Sequence, residues 1–134
     1  MAAGKQAVVN AQQMVKEVEK IGKSLGLKVE KRVKAGRTIW ATDRNIKVVV
    51  EHASTRGKTK KSRVGIDCIC QHGSGTAYHK FFSKAADIKK WPMDGIITYT
   101  GDGFTQEFKG VMDSYGSVPL NNLEQWLKTY YNMK

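Results

Sequence analysis

Cysteine is scarce in this chain, and long apolar runs are missing altogether. The two cysteines, Cys68 and Cys70, stand one residue apart, too close on an extended segment to bridge each other with ordinary disulfide geometry. That excludes a disulfide-stapled scaffold, and reduced thiols in a cytoplasmic setting are expected, the host cytoplasm if the gene is carried by a phage. No apolar stretch approaches the ~20 residues of a membrane-spanning helix. None near the N-terminus reads as a secretory signal, so neither a membrane partner nor export is expected. Acids are the third shortage: 12 Asp and Glu face 23 Lys and Arg, for a net charge of +11. The imbalance is local. Residues 1–63 hold 16 of the basic residues and 5 of the acids, whereas residues 64–134 hold seven of each. A polyanion facing one side of the molecule is the partner such an asymmetry implies. With 40% hydrophobic residues over 134 positions, the composition is that of one folded domain spanning residues 1–134.

The densest basic segment is Ser54-Thr-Arg-Gly-Lys-Thr-Lys-Lys-Ser-Arg63. It is read as a nucleic-acid contact through Arg56, Lys58, Lys60, Lys61 and Arg63, against the plainer reading of a solvated loop. Before it, residues 5–25 have the spacing of an amphipathic helix, with Ala11, Met14, Val15, Val18, Ile21 and Leu25 on one side. Alternation predicts strands over Leu27 to Val33, Arg37 to Thr42 and Asn45 to Glu51, with Ala35-Gly36 as a turn. After Gly73, Tyr78, Phe81, Phe82, Ala85 and Ile88 recur at helical spacing, with Ser74 or Thr76 as the cap. Trp91-Pro92 closes that helix, because the residue before proline avoids the helical region. A strand over Gly95 to Thr100 and helices near Phe104 to Met112 and Leu120 to Tyr131 complete the chain. Trp40 and Trp91 are expected in the core, as is the stripe of Trp126, Tyr130 and Tyr131, unless the stripe is a dimer contact.

The most informative segment is Val64-Gly-Ile-Asp-Cys-Ile-Cys-Gln-His-Gly-Ser-Gly-Thr-Ala-Tyr-His-Lys80. A strand with a carboxylate among apolar residues buries a costly group unless that group has a partner or a task. Alternation puts Asp67, Ile69 and Gln71 on one face and Ile66, Cys68 and Cys70 on the other. The glycine-rich turn that follows opens a helix, and its N–H groups can hold a phosphate, with Ser74 and Lys80 beside it. It lacks the spacing and the lysine-threonine pair of a Walker loop. The two-apart cysteines do not have zinc-knuckle spacing. Cys70 with His72 or His79 would serve as a nucleophile only if the thiol were accessible and its pKa lowered.

The element order and this strand-turn-helix unit resemble the αβββαβ core of the PD-(D/E)XK nuclease superfamily. Relatives often read Gly-Ile-acid-x-Lys-x-Gln, a glycine-serine turn, and a helix carrying a lysine. Here the stretch is Gly65-Ile-Asp-Cys-Ile-Cys-Gln71, then Gly73-Ser-Gly-Thr76, then Lys80. The resemblance implies an α/β fold with a mixed central sheet flanked by helices, extended here by C-terminal helices. It implies a DNA endonuclease, with RNA left open as the substrate, and a homodimer. In such enzymes two carboxylates hold Mg²⁺ or Mn²⁺ against the scissile phosphate, and the lysine steadies developing charge.

Asp67 matches the second acid. Ile69 stands where the lysine would be, and the best register puts Lys47 where the first acid would be. Two readings follow. In one, Lys47 is a relocated cation, and Glu51, Asp43 or Glu17 supplies the second carboxylate. Asp67, Lys47, Gln71 and Glu51 are then the catalytic set, with Asp67 and Glu51 as metal ligands. In the other, Lys47 pairs with Asp67 in a dead site, and the chain is an inactive DNA-binding or assembly protein that keeps the nuclease fold.

Overall fold

The computed structural model describes residues 10–38, 40–52, 63–72 and 77–133. The elements run α1 (Ala11–Ser24), β1 (Lys28–Arg37), β2 (Asp43–Glu51), β3 (Arg63–Cys70), α2 (Ala77–Ile88), β4 (Asp94–Thr100), α3 (Gln106–Ser114), β5 (Val118–Pro119) and α4 (Leu123–Tyr130). They form one five-stranded sheet in the order β1-β2-β3-β4-β5. The first three strands are antiparallel neighbours, and β3-β4 and β4-β5 are parallel. This mixed sheet with helices is the α/β fold expected from the sequence. Among the described residues, no helix is long and apolar enough to cross a membrane.

Two clusters on opposite sides of β3 hold the sheet to its helices. Met14 and Val18 of α1 and Leu123 and Leu127 of α4 pack on Val48, Val50, Val64, Ile66 and Cys68. On the other side Ile69, Ile97 and Tyr99 pack on Phe81, Phe108 and Met112. The alternation along β3 therefore sorts Ile66 and Cys68 from Ile69 as its period requires. Asn10 caps α1, its Oδ1 accepting the Gln13 N–H at 2.9 Å, a favourable way to satisfy an otherwise orphaned donor. Within the described residues the helix runs from Ala11; residues 5–9 of the expected span lie outside them.

A third cluster pins the end of α2. Trp91 lies over the register pair Gly65 and Gly95, where a Cβ at Gly65 would stand 2.7 Å from its ring. Its Nε1 donates to Asp87 Oδ2 at 3.2 Å. Asp87 also accepts from Nε of Arg44, which is buried and donates from Nη1 to the Ala35 carbonyl at 3.2 Å. Trp91 is core, as expected.

Three expectations need correction. The expected strand over Arg37 to Thr42 is not found: β1 runs on to Arg37, and the described residues Thr38 and Trp40 to Thr42 are not strand. Ala35-Gly36 is no turn either. Gly36, at φ +86°, sits where the β1-β2 register shifts, so its freedom serves an irregularity inside the hairpin. Trp40, on the turn, is 80% exposed rather than core. Of the C-terminal aromatic stripe, Trp126, Tyr130 and Tyr131 pack at the edge of the α1-α4 cluster. β5, only two residues long, has no period for a sequence reading to detect.

Candidate active site

Asp67 sits on the central strand with its side chain 13% exposed. A carboxylate so placed must be paired. Lys84 of α2 spans it, with Nζ 3.1 Å from Oδ1 and 3.2 Å from Oδ2. Lys47 of β2 reaches Oδ1 at 3.8 Å, and the Cys68 N–H donates to the same oxygen at 2.8 Å. The carboxylate is thus the meeting point of three elements. Helical spacing explains the contact with Lys84. Phe81, Ala85 and Ile88 form the inward stripe of α2, and Lys84 falls three residues after Phe81 and four before Ile88, at the edge of that stripe.

A cleft of about 470 Å³ opens over this pair. Its acids are Asp43, Asp67 and Asp87, and its bases are Arg44, Lys47, Lys84 and Lys90. The other two acids are engaged as well: Asp87 holds Arg44 and Trp91, and Asp43 lies 4.0 Å from Lys34. A second groove of about 490 Å³ runs between α1 and the hairpin, lined by Lys16, Lys31 and Arg32 but by no acid. Lys47 lines both hollows, so positive charge is continuous from one to the other.

The residues singled out in the sequence are not all brought together. Lys47 and Asp67 meet. Glu51 pairs in register with Arg63, and Asp67 lies four residues further along β3, about 13 Å away at the usual strand rise. This register keeps Glu51 and Asp67 apart. Gln71 is likewise four residues, about 13 Å, beyond Asp67. It is not among the partners of Asp67. Its backbone bonds Thr100 and Gly103 instead, at 3.1 and 2.8 Å. Lys80 is exposed on α2 one turn before Lys84, on the same side of the helix. Arg63 begins β3. Arg56, Lys58, Lys60, Lys61, Ser74 and the Ser74 or Thr76 cap lie outside the described residues.

Cysteine chemistry is disfavoured. Burial, more than the neighbouring Asp67 carboxylate, pushes the Cys68 thiol up to about 12, and burial raises Cys70 as well. A thiol kept protonated is a poor nucleophile and a poor metal ligand. No three His, Cys, Asp or Glu converge on a metal-sized centre among the described residues. His72 instead faces Asp102, with Nδ1 3.3 Å from its carboxylate.

Lys84 is the residue that sequence reading missed. Its sequence signal was weak: a lysine beside an apolar helical stripe ordinarily reaches to solvent, and only the placement of α2 over β3 brings it to Asp67, the one acid of that strand. No curated protein and no solved structure matches the chain. A family model described as a PD-(D/E)XK nuclease superfamily domain matches residues 3–128. With a buried strand carboxylate and a lysine paired across a mixed sheet of this order, the chain belongs to the PD-(D/E)XK nuclease superfamily.

Proposed function

We propose that the chain hydrolyses phosphodiester bonds of nucleic acid, DNA first, in the cleft above Asp67. The contact of Lys84 with both Asp67 oxygens carries this reading. It supplies from a helix the acid-lysine pair that relatives build on one strand, where this chain has Ile69. Lys84 is then the group that steadies charge developing on the phosphoryl oxygens, worth about 10²–10³ in rate for a well-aimed donor. Lys47, the more exposed of the two, steers and holds the phosphate.

The family implies Mg²⁺ or Mn²⁺. Asp67 is a single carboxylate already spanned by Lys84, so the described residues do not form a ready cage. Magnesium sites built on one or two carboxylates plus substrate phosphates are common, and Asp67 fits that kind, with Asp43 on the cleft wall as the second acid. When bound, such an ion polarises the phosphoryl oxygen and makes water a better nucleophile. Asp67 would hold the ion, and Lys84 would pass from the carboxylate to the phosphate.

A second reading is favoured by Lys47. Two lysines around one carboxylate leave the site with excess positive charge, which suits phosphate binding without hydrolysis. Incubating the protein with supercoiled, linear and single-stranded DNA, with Mg²⁺, with Mn²⁺ and with neither, separates the two. Metal-dependent cleavage that Asp67→Asn abolishes is the expected result. Tight binding with no cleavage in either metal would leave the binding module.

A further inference from the structure

Among the described residues, the turn between β1 and β2 carries the most exposed of the large apolar side chains. Trp40 is 80% exposed, against 55% for Tyr115 and 41% for Phe82. A tryptophan ring left in water gives up the large apolar area that makes the residue favourable elsewhere. Hydrogen bonds nonetheless tie the described residues beside it, Thr38, Ala41 and Thr42. The Thr38 N–H donates to the Thr42 carbonyl at 2.9 Å, and the Ala41 N–H to the Thr38 carbonyl at 3.0 Å. The Thr38 and Thr42 hydroxyls meet at 2.6 Å, and the Trp40 N–H donates to Thr38 Oγ1 at 3.2 Å. Ala41 takes φ +59° to close the turn, a costly conformation for a residue with a Cβ. The exposed ring is thus flanked by residues that hydrogen-bond one another. It lines the same cleft as Asp67 and Lys84 and is the one aromatic there among the described residues; apart from Ala86, the other side chains lining it are polar or charged.

We infer that Trp40 is a stacking platform for an unpaired nucleobase next to the phosphate held at Asp67 and Lys84. The inference rests on the phosphodiester reading above and narrows its substrate class to single-stranded nucleic acid, or to the unpaired part of a larger structure. A base inside a duplex has both faces covered by its neighbours, so only an unpaired or extruded base can offer a face to the indole. The cationic side chains take the backbone, and the indole takes the base. Such stacking is tolerant of sequence, because every base has a π face.

The test is equilibrium binding, without divalent metal, of labelled thymidine and uridine oligomers of about 15 nucleotides, an abasic oligomer of equal charge, and a duplex of equal length. Trp40→Ala is expected to weaken the thymidine oligomer, the uridine oligomer or both about tenfold, as stacking energies imply. Which oligomer responds tells DNA from RNA. Trp40→Phe should keep most of the affinity, and the abasic oligomer and duplex should bind all three proteins alike. An unchanged thermal midpoint checks that the variants are folded. Equal losses on the abasic oligomer, or no loss on any, would overturn the stacking role while leaving the nucleic-acid reading in place. A Trp40→Ala chain whose sedimentation mass falls while its affinity holds would put the ring in a protein contact and overturn it too. Failure of the wild type to bind any nucleic acid would remove both.

Discussion

Lys84 and Lys47 both reach Asp67, but they differ in depth and aim. Lys84 is 24% exposed and touches both oxygens, whereas Lys47 is 37% exposed and stands 3.8 Å from one. Charge interactions strengthen as water is excluded, so the deeper lysine should matter more to the chemical step. Lys84→Met should lower the single-turnover rate by about 10² or more, with nucleic-acid affinity changed far less. Lys47→Met should do the reverse, weakening binding with a smaller effect on the step. Rapid-quench rates and binding isotherms on the two variants distinguish these outcomes. If the pair were only a buried ion pair, the wild type would not cleave. Asp67→Ala would then destabilise by about 3 kcal/mol by stranding the lysines, while replacing Asp67 and Lys84 together by apolar residues would be tolerated. Urea denaturation of the single and double variants reads that difference. The same partial cage leads to a second expectation. Because Asp67 is one carboxylate held by a lysine, titration of the free protein with Mn²⁺ should show no saturable site at millimolar metal. One should appear when an uncleavable nucleic acid is present.

The unit β3-α2-β4 shows which elements a sequence reveals and why. The apolar run of β3 and the change of period after Gly73 mark a strand and a helix, and the crossover makes β3 and β4 parallel neighbours, as found. The hairpin was harder. Thr38, Trp40 and Thr42 are residues that favour strands, and nothing in the alternation reports that the two threonine hydroxyls close on each other. Asp67 was legible because a lone acid in a buried strand is anomalous by itself. Lys84 was not, because its meaning depends on the angle at which α2 crosses the sheet. Trp91, just past the end of α2, packs on Gly65 and Gly95, its ring sitting where two Cβ atoms would be, so the helix end is held against β3 and β4 there. Gly65→Ala should therefore cost about 2 kcal/mol, as overpacking does in a filled core, seen as a lower urea midpoint at unchanged slope. It should also slow cleavage by tilting Lys84 away from Asp67. Asp87→Ala should act through the same joint, leaving Arg44 buried without its carboxylate at a cost of about 2–3 kcal/mol. The thiols give an independent check on β3. With Cys68 raised to about 12, only about one molecule in ten thousand carries its thiolate at about pH 8. A disulfide reagent should accordingly label it only as fast as the protein opens.

Across the molecule, positive charge and the cleft coincide. The basic excess lies wholly in residues 1–63, and the hairpin and α1 place part of it, Lys16, Lys31, Arg32 and Lys47, along the groove that adjoins the Asp67 cleft. The composition pointed to a polyanion; the fold lines these side chains along two adjoining hollows that share Lys47, one of them opening over the buried pair. Residues 64–134 hold equal numbers of acids and bases and contribute chiefly the core, the pair and the far wall. A strand lying along the path would displace counterions, so the logarithm of affinity should fall linearly with the logarithm of salt, by about 0.7 per phosphate for a single strand. Lys16→Gln, Lys31→Gln and Arg32→Gln combined should flatten that slope by about two to three phosphates' worth while leaving the cleavage step of bound substrate unchanged, because none of the three touches Asp67. Neutralising Arg56, Lys58, Lys60, Lys61 and Arg63 tests the basic segment by the same slope. An unaltered slope there, beside a flattened one in the groove variant, would assign the segment to solubility and the groove to the backbone. Slopes measured from about 50 to 300 mM salt, with single-turnover rates at saturating protein, separate the path from the chemistry: on the proposed function, the groove variant should change how tightly the strand lies, and the Asp67 and Lys84 variants what happens to it there.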